Sequence, residues 1–280
     1  MFRTLCLTFL LTVPAAADAM KDATEHFTAG RFKKAIECAS QVDDSDATAY
    51  ARSRYLMGEI QFLLGDHDAA QTSLRAALEK KRASAPILTA LGRVLIDDGE
   101  SEEAETLLKL AVKQDPKSGR ARCYLGLARY QESLGKKGRK DISAGVKLAP
   151  KDPEVSRAVV LVMLEEGSPD AAAKEAKRFA KARRDHPMGP FLAAMIKERE
   201  GEYDKAIEYY QKAIKADDTF LDAHKNLAIL CIAQNPMYQN GKRTGLALTH
   251  FKRYEELGGQ DTRVKQIHAT LLSFIKSQPR

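Results

Sequence analysis

Glycines recur every 34 residues along this chain, and that step constrains its fold more than any other feature of the sequence. Gly65, Gly99, Gly167 and Gly201 stand on it, with Ser133 in the intervening slot. Five residues further on, a second column is small every time: Ala70, Ala104, Gly138, Ala172 and Ala206. A third holds Gly58, Gly92 and Gly126, then continues as Val160, Ala194 and Ala228. Columns in phase at a period of about 20–50 residues mark a repeat array, in which each unit buries its apolar face only against its neighbours.

The columns have physical causes. A first-column glycine supplies the left-handed turn that ends one helix before the next begins. A second-column residue sits where two helices cross, and a larger side chain there pushes the pair apart. Between the columns, as in Gly201, Tyr203, Ala206, Ile207, Tyr210, Ala213 and Ile214, apolar residues fall at helical spacing. On these residues, and on Leu91, Gly92, Gly99, Ala104, Leu108, Ala111 and Pro116, the chain resembles the tetratricopeptide repeat family, although the family's helix-A tryptophan is absent throughout. The resemblance implies an all-α, right-handed superhelical solenoid of about seven helix-turn-helix units, first helices lining a concave groove and second helices facing outward.

The units fall at about 18–50, 51–84, 85–118, 119–152, 153–186, 187–220 and 221–260, with a capping helix and tail over 261–280. Gly30 to Ile36 repeats the turn and second-helix start of the first unit, 35 residues before Gly65, so one extra residue lies in the Asp43–Asp46 turn. In the last unit Ala247 arrives seven residues late, after a turn-rich insertion from Asn235 to Gly241. Thr262–Ser277 then reads as an amphipathic cap.

Met1-Phe2-Arg3, an apolar run from Leu5 to Val13, Pro14 and the small residues Ala15–Ala17 have the order of an export signal, with cleavage after Ala17 or Ala19. The expected localisation is therefore periplasm or cell envelope, or secretion. Cys6 precedes the apolar run, which argues against a lipid anchor. Lys and Arg exceed Asp and Glu by 45 to 38, a formal charge of +7 that becomes +6 once Arg3 is removed. In an exported protein that excess points to solubility, an acidic partner or an anionic membrane surface, and not to nucleic acid. Cys38, Cys123 and Cys231 lie in the first, fourth and seventh units, several helix layers of roughly 8–10 Å apart. A disulfide needs Cα atoms within about 7 Å, so three reduced, mostly buried thiols are expected.

Reaction chemistry is not visible. The histidines at 26, 67, 186, 224, 250 and 268 have no metal-site spacing. Gly135–Gly138 and Gly241–Gly245 lack the spacing of a phosphate loop. No cofactor, metal or catalytic residue is expected.

The resemblance places a candidate concave surface on Arg52, Tyr55, Glu59, Phe62, Arg93, Arg120, Tyr130, Arg157, Phe191, Met195, Arg199 and Lys225, where aromatics and arginines are the side chains that most often dominate binding. Glu59, Asp97, Glu154, Glu165, Glu198 and Asp222 share or flank that face, so the groove is mixed in sign and unlike a clamp for one acidic tail. Some of its apolar residues equally suit packing between helices. Lys136, Lys137, Lys174, Lys177, Arg178 and Lys181 on second helices form a candidate convex basic band, or simply a solvated face. The expected role is a protein-binding scaffold for a peptide or partner domain. A self-assembling structural protein and a regulatory subunit of an envelope enzyme are the alternatives, and the oligomeric state stays open.

Overall fold

The computed structural model describes residues 16–80, 84–132, 135–234 and 241–277. The apolar run of the expected leader, Cys6, Ser133 and most of the insertion before α14 lie outside the described residues. Seven helix pairs follow one another: α1 (Ala16–Thr28) with α2 (Phe32–Ser40), α3 (Ala47–Leu64) with α4 (His67–Lys80), and α5 (Ala85–Asp97) with α6 (Ser101–Gln114). Next come α7 (Gly119–Gln131) with α8 (Gly135–Leu148), and α9 (Pro153–Glu165) with α10 (Pro169–Ala182). The last pairs are α11 (Met188–Arg199) with α12 (Tyr203–Ala216), and α13 (Leu221–Ala233) with α14 (Gly241–Glu256). The expected cap is α15, Thr262–Ser277. The two expected cleavage points fall in the first turn of α1, where Ala19 is buried.

Local chemistry sets these boundaries. Asp46 caps α3 by accepting from the backbone N–H of Thr48 and Ala49, and Asp152 caps α9 in the same way from Glu154 and Val155. Gly65, at φ 78°, closes α3 in the left-handed conformation the repeat requires. The third column explains the tight pairing inside units: a Cβ on Gly126 of α7 would come 2.6 Å from Ile142 and 2.7 Å from the Gly138 carbonyl of α8. Cys38, Cys123 and Cys231 are all unpaired, and burial pushes the Cys123 thiol up to about 12, so it behaves as an apolar core residue.

The array does not stay open. It curves until its last unit meets its first, and one continuous core joins Phe32, Ile60 and Leu64 to Tyr210, Leu227, Tyr254 and Leu271. At this seam the Leu64 carbonyl, an orphan acceptor at the end of α3, receives the Tyr254 hydroxyl at 3.0 Å and the Gln260 backbone N–H at 2.6 Å. The Asp261 N–H in turn donates to the Tyr254 oxygen at 3.2 Å. Gly30 lies against Thr219, where a Cβ would sit 2.6 Å from the threonine methyl.

A histidine pair stands beside the seam. His224 of α13 and His250 of α14 place their Nδ1 atoms 2.9 Å apart, while His224 Nε2 lies 3.1 Å from the Asp218 carbonyl. The second contact makes Nε2 the protonated nitrogen of His224, so its Nδ1 accepts the Nδ1–H of His250. An added proton on His224 would face another N–H. Burial lowers both groups, His250 to about 4, and His224 repels the His250 proton, while the Asp218 carboxylate, itself paired with Arg253, opposes the shift. A base whose folded pKa is depressed stabilises the fold fully above its unfolded value near 6.5 and loses that contribution as pH falls toward 4. Urea midpoints are therefore expected to fall between pH 6.5 and 4 by the equivalent of about 2–3 kcal/mol, at about 1.4 kcal/mol per unit. His250→Gln should flatten that slope, and an unchanged slope would mean other groups carry it.

Candidate functional site

The first helices of the units face the ring's interior, and their side chains meet there in an ionic network. Arg93 of α5 reaches Glu59 of α3 at 2.9 Å and Glu154 of α9 at 3.9 Å, and its guanidinium lies 4.0 Å from the centre of the Phe62 ring. Tyr124 of α7 donates to Glu154 at 2.6 Å. Arg157 pairs with Asp222 of α13 at 3.2 Å, and Lys225 also reaches Asp222 at 3.4 Å. Burial alone would raise the Glu154 and Asp222 carboxyls, yet cations hold both below their ordinary range: Arg157 and Arg93 for Glu154, Lys225 and Arg157 for Asp222. The mixed sign of the expected groove is thus the composition of an internally compensated network.

One part of this inner face remains open. A pocket of about 230 Å³ lies against α3 and the N-terminal ends of α5 and α7, lined by Tyr55, Glu59, Thr89, Arg93, Ser118, Arg120 and Tyr124 among others. Arg120 is 38% exposed and salt-bridged to Asp152 at 2.9 Å, which leaves part of its guanidinium at the pocket's mouth. Burial and the neighbouring Glu59 push the Tyr55 phenol up to about 12, so at neutral pH it is a hydrogen-bonding hydroxyl.

The remaining predicted residues are distributed differently. Phe62 and Phe191 are core: Phe191 packs on Tyr210 at 5.7 Å and Phe220 at 5.0 Å between ring centroids. Met195 is half-buried against the same core. Tyr130 packs beside α8 in its own unit, and Arg52 and Arg199 are exposed away from the pocket. On the outer surface Lys136, Lys137, Lys174, Lys177 and Lys181 are exposed. Arg178 departs from the expected band, because it is engaged by Glu175 and by the Pro150 carbonyl and ties α10 to the start of α9. Tyr124, Thr89 and Ser118 were absent from the sequence-based surface. Tyr124 had a signal, since it lies one helical turn from Arg120, whereas Tyr130 at ten residues' separation is rotated about 80° off that stripe.

Among the described residues no group of three or more His, Cys, Asp or Glu is placed to hold a metal, and no helix is long and apolar enough to cross a membrane.

Models of the tetratricopeptide repeat match residues 20–86, 61–129 and 191–220. No curated protein sequence matches the chain. Among solved structures, a tetratricopeptide repeat protein from Parabacteroides merdae covers 92% of this chain and 98% of its own length, at 15% identity and a TM-score of 0.56. Yeast Tom70 covers all of this chain and 69% of its own, at 15% identity and a TM-score of 0.60. PilW, a type IV pilus biogenesis factor, covers 73% and 94%, at 19% identity and a TM-score of 0.53. These likenesses are of fold.

Proposed function

We propose that this chain, which belongs to the tetratricopeptide repeat family, is a protein-interaction scaffold of the cell envelope that takes a peptide or partner domain at its inner pocket. The observation that carries the reading is convergence. Tyr55, Glu59, Arg93 and Arg120 come from three successive units, and all four line one pocket. A preformed site of this kind binds without first ordering its own side chains. Thr89, Ser118, Tyr55 and Arg120 offer donors and acceptors around an apolar wall of Ala85, Pro86 and Ala90, suited to an extended segment with one apolar anchor. The envelope setting rests on the leader-like N-terminus. End-to-end assembly is the weaker reading, because the first unit of the array is occupied by the last.

The test is a crosslinking pull-down from fractionated envelope with wild type and Tyr55→Ala/Arg120→Ala. Phe191 is left out because its ring is core. A partner recovered with wild type should fall at least tenfold with the variant, a loss of about 1.4 kcal/mol. Equal recovery, with helicity unchanged in both, would reject the inner pocket. Recovery from cytoplasm alone would reject the envelope setting.

A further inference from the structure

The repeat step of 34 permits each joint between units to be compared with every other. The last turn of a second helix meets the next unit's first helix, as Ala180 meets Gly189. On the repeat step the sets are Leu78 with Ile87 and Leu91, Val112 with Ala121 and Leu125, Val146 with Val155 and Val159, and Ile214 with Ala223 and Leu227. Each set brings at least two large apolar side chains to its joint. At the joint of α10 with α11 the same three positions are Ala180, Gly189 and Ala193.

The missing volume is present in the structure as a groove of about 430 Å³ on the outer face, lined by those three residues and Ala176 and closed by Ile196 and Tyr209. That size suits a few apolar side chains. Its rim is cationic. Lys177 lines it, Lys174 and Lys181 are exposed on the same helix, Arg183 and Arg184 follow, and none of these makes an ion pair among the described residues. On the opposite wall Lys212 lies 4.5 Å from the centre of the Tyr209 ring. Glu200, the carboxylate among the lining residues, is held by Lys197 at 2.6 Å.

We infer that this outer groove is a second docking site, taking an acidic amphipathic helix of a partner protein that inserts two large apolar side chains where the other joints supply their own. Apolar side chains at i and i+4 enter the groove between Ala176, Ala180 and Ala193, while carboxylates flanking them meet the lysine rim. A flat membrane surface matches the charge and not the concavity, since membrane contact needs apolar side chains that protrude. A second copy of this chain is also a poor occupant through its exposed apolar helix face. That face, Leu272 and Ile275 on α15, belongs to a helix carrying Arg263, Lys265 and Lys276 and no acidic residue. The site is separate from the inner pocket.

The experiment uses the full chain and a fluorescein-labelled peptide of about 16 residues, long enough to form a helix, built from Leu, Ala and Glu with leucines at i and i+4. Fluorescence anisotropy should show saturable binding that weakens with salt. Ala180→Leu and Ala193→Leu, which restore side chains used at other joints, should each weaken it at least tenfold. Lys177→Glu/Lys181→Glu should do so as strongly, and Tyr55→Ala/Arg120→Ala should leave it unchanged. Circular dichroism and melting establish that each variant is folded, and Ala193→Val provides an independent filling should the leucines overpack. Undiminished binding to folded filled-groove variants overturns the inference. So does an equal affinity for a Lys-for-Glu version of the peptide, or cosedimentation with phosphatidylglycerol vesicles that depends on the lysines and not on the filled alanines.

Discussion

Arg93→Ala is expected to destabilise the protein by about 3–5 kcal/mol, read as a fall in urea midpoint with circular dichroism, while Arg52→Ala on the exposed rim stays within about 0.5 kcal/mol. The difference lies in what each arginine leaves behind. Arg52 is exposed. The Arg93 side chain is 8% exposed, and its removal strips Glu59 of the cation 2.9 Å away and Glu154 of one of three cations that keep it ionised. It also removes the guanidinium from the Phe62 ring. The cost is that of stranded charge more than of a lost favourable pair, because burying two ions is expensive and their attraction only repays it. A second variant separates these terms. Arg93→Met/Glu59→Met replaces the pair by apolar groups of similar reach and should recover more than half of the loss, since Glu154 retains Arg157 and the Tyr124 hydroxyl. If the double variant is no more stable than Arg93→Ala, the network holds the helices in register through the pair itself.

The repeat was legible in the sequence because its determinants are local. Gly65 terminates α3 through its own φ, Gly126 admits Ile142 through the absence of its own Cβ, and the cap at 262–277 shows in the periodicity of its own residues. The ring was not legible. Leu64 and Tyr254 meet across 190 residues of sequence, and that contact depends on a small rotation accumulated at every joint, which no single residue encodes. The inner site was half legible for the same reason. The resemblance to the repeat family placed Tyr55, Glu59, Arg93 and Arg120 on one concave face, but it did not tell that curvature would press Arg93, Phe62 and Arg157 together while leaving Tyr55 and Arg120 at an opening. Phe191, placed on the same face, is instead core, its ring held between Tyr210 and Phe220.

Tyr254→Ala is expected to open that ring, with a loss of about 3–5 kcal/mol from a buried aromatic deleted out of the seam and the Leu64 carbonyl deprived of one of its two donors. Tyr254→Phe keeps the ring and should cost only about 1 kcal/mol, because Gln260 still donates to Leu64. The two substitutions distinguish closure by packing from closure by hydrogen bonding. In a repeat array each unit is stabilised by its neighbours, so a broken seam need not unfold the units between its ends. Hydrogen exchange should then accelerate at the amides of α1, α2 and α15 while the α5–α9 segment stays protected, and small-angle scattering should show a larger radius of gyration at nearly unchanged helicity. Global unfolding in one step, with no expanded folded state, would instead make the seam part of a single cooperative core and the ring the only form in which the inner pocket exists.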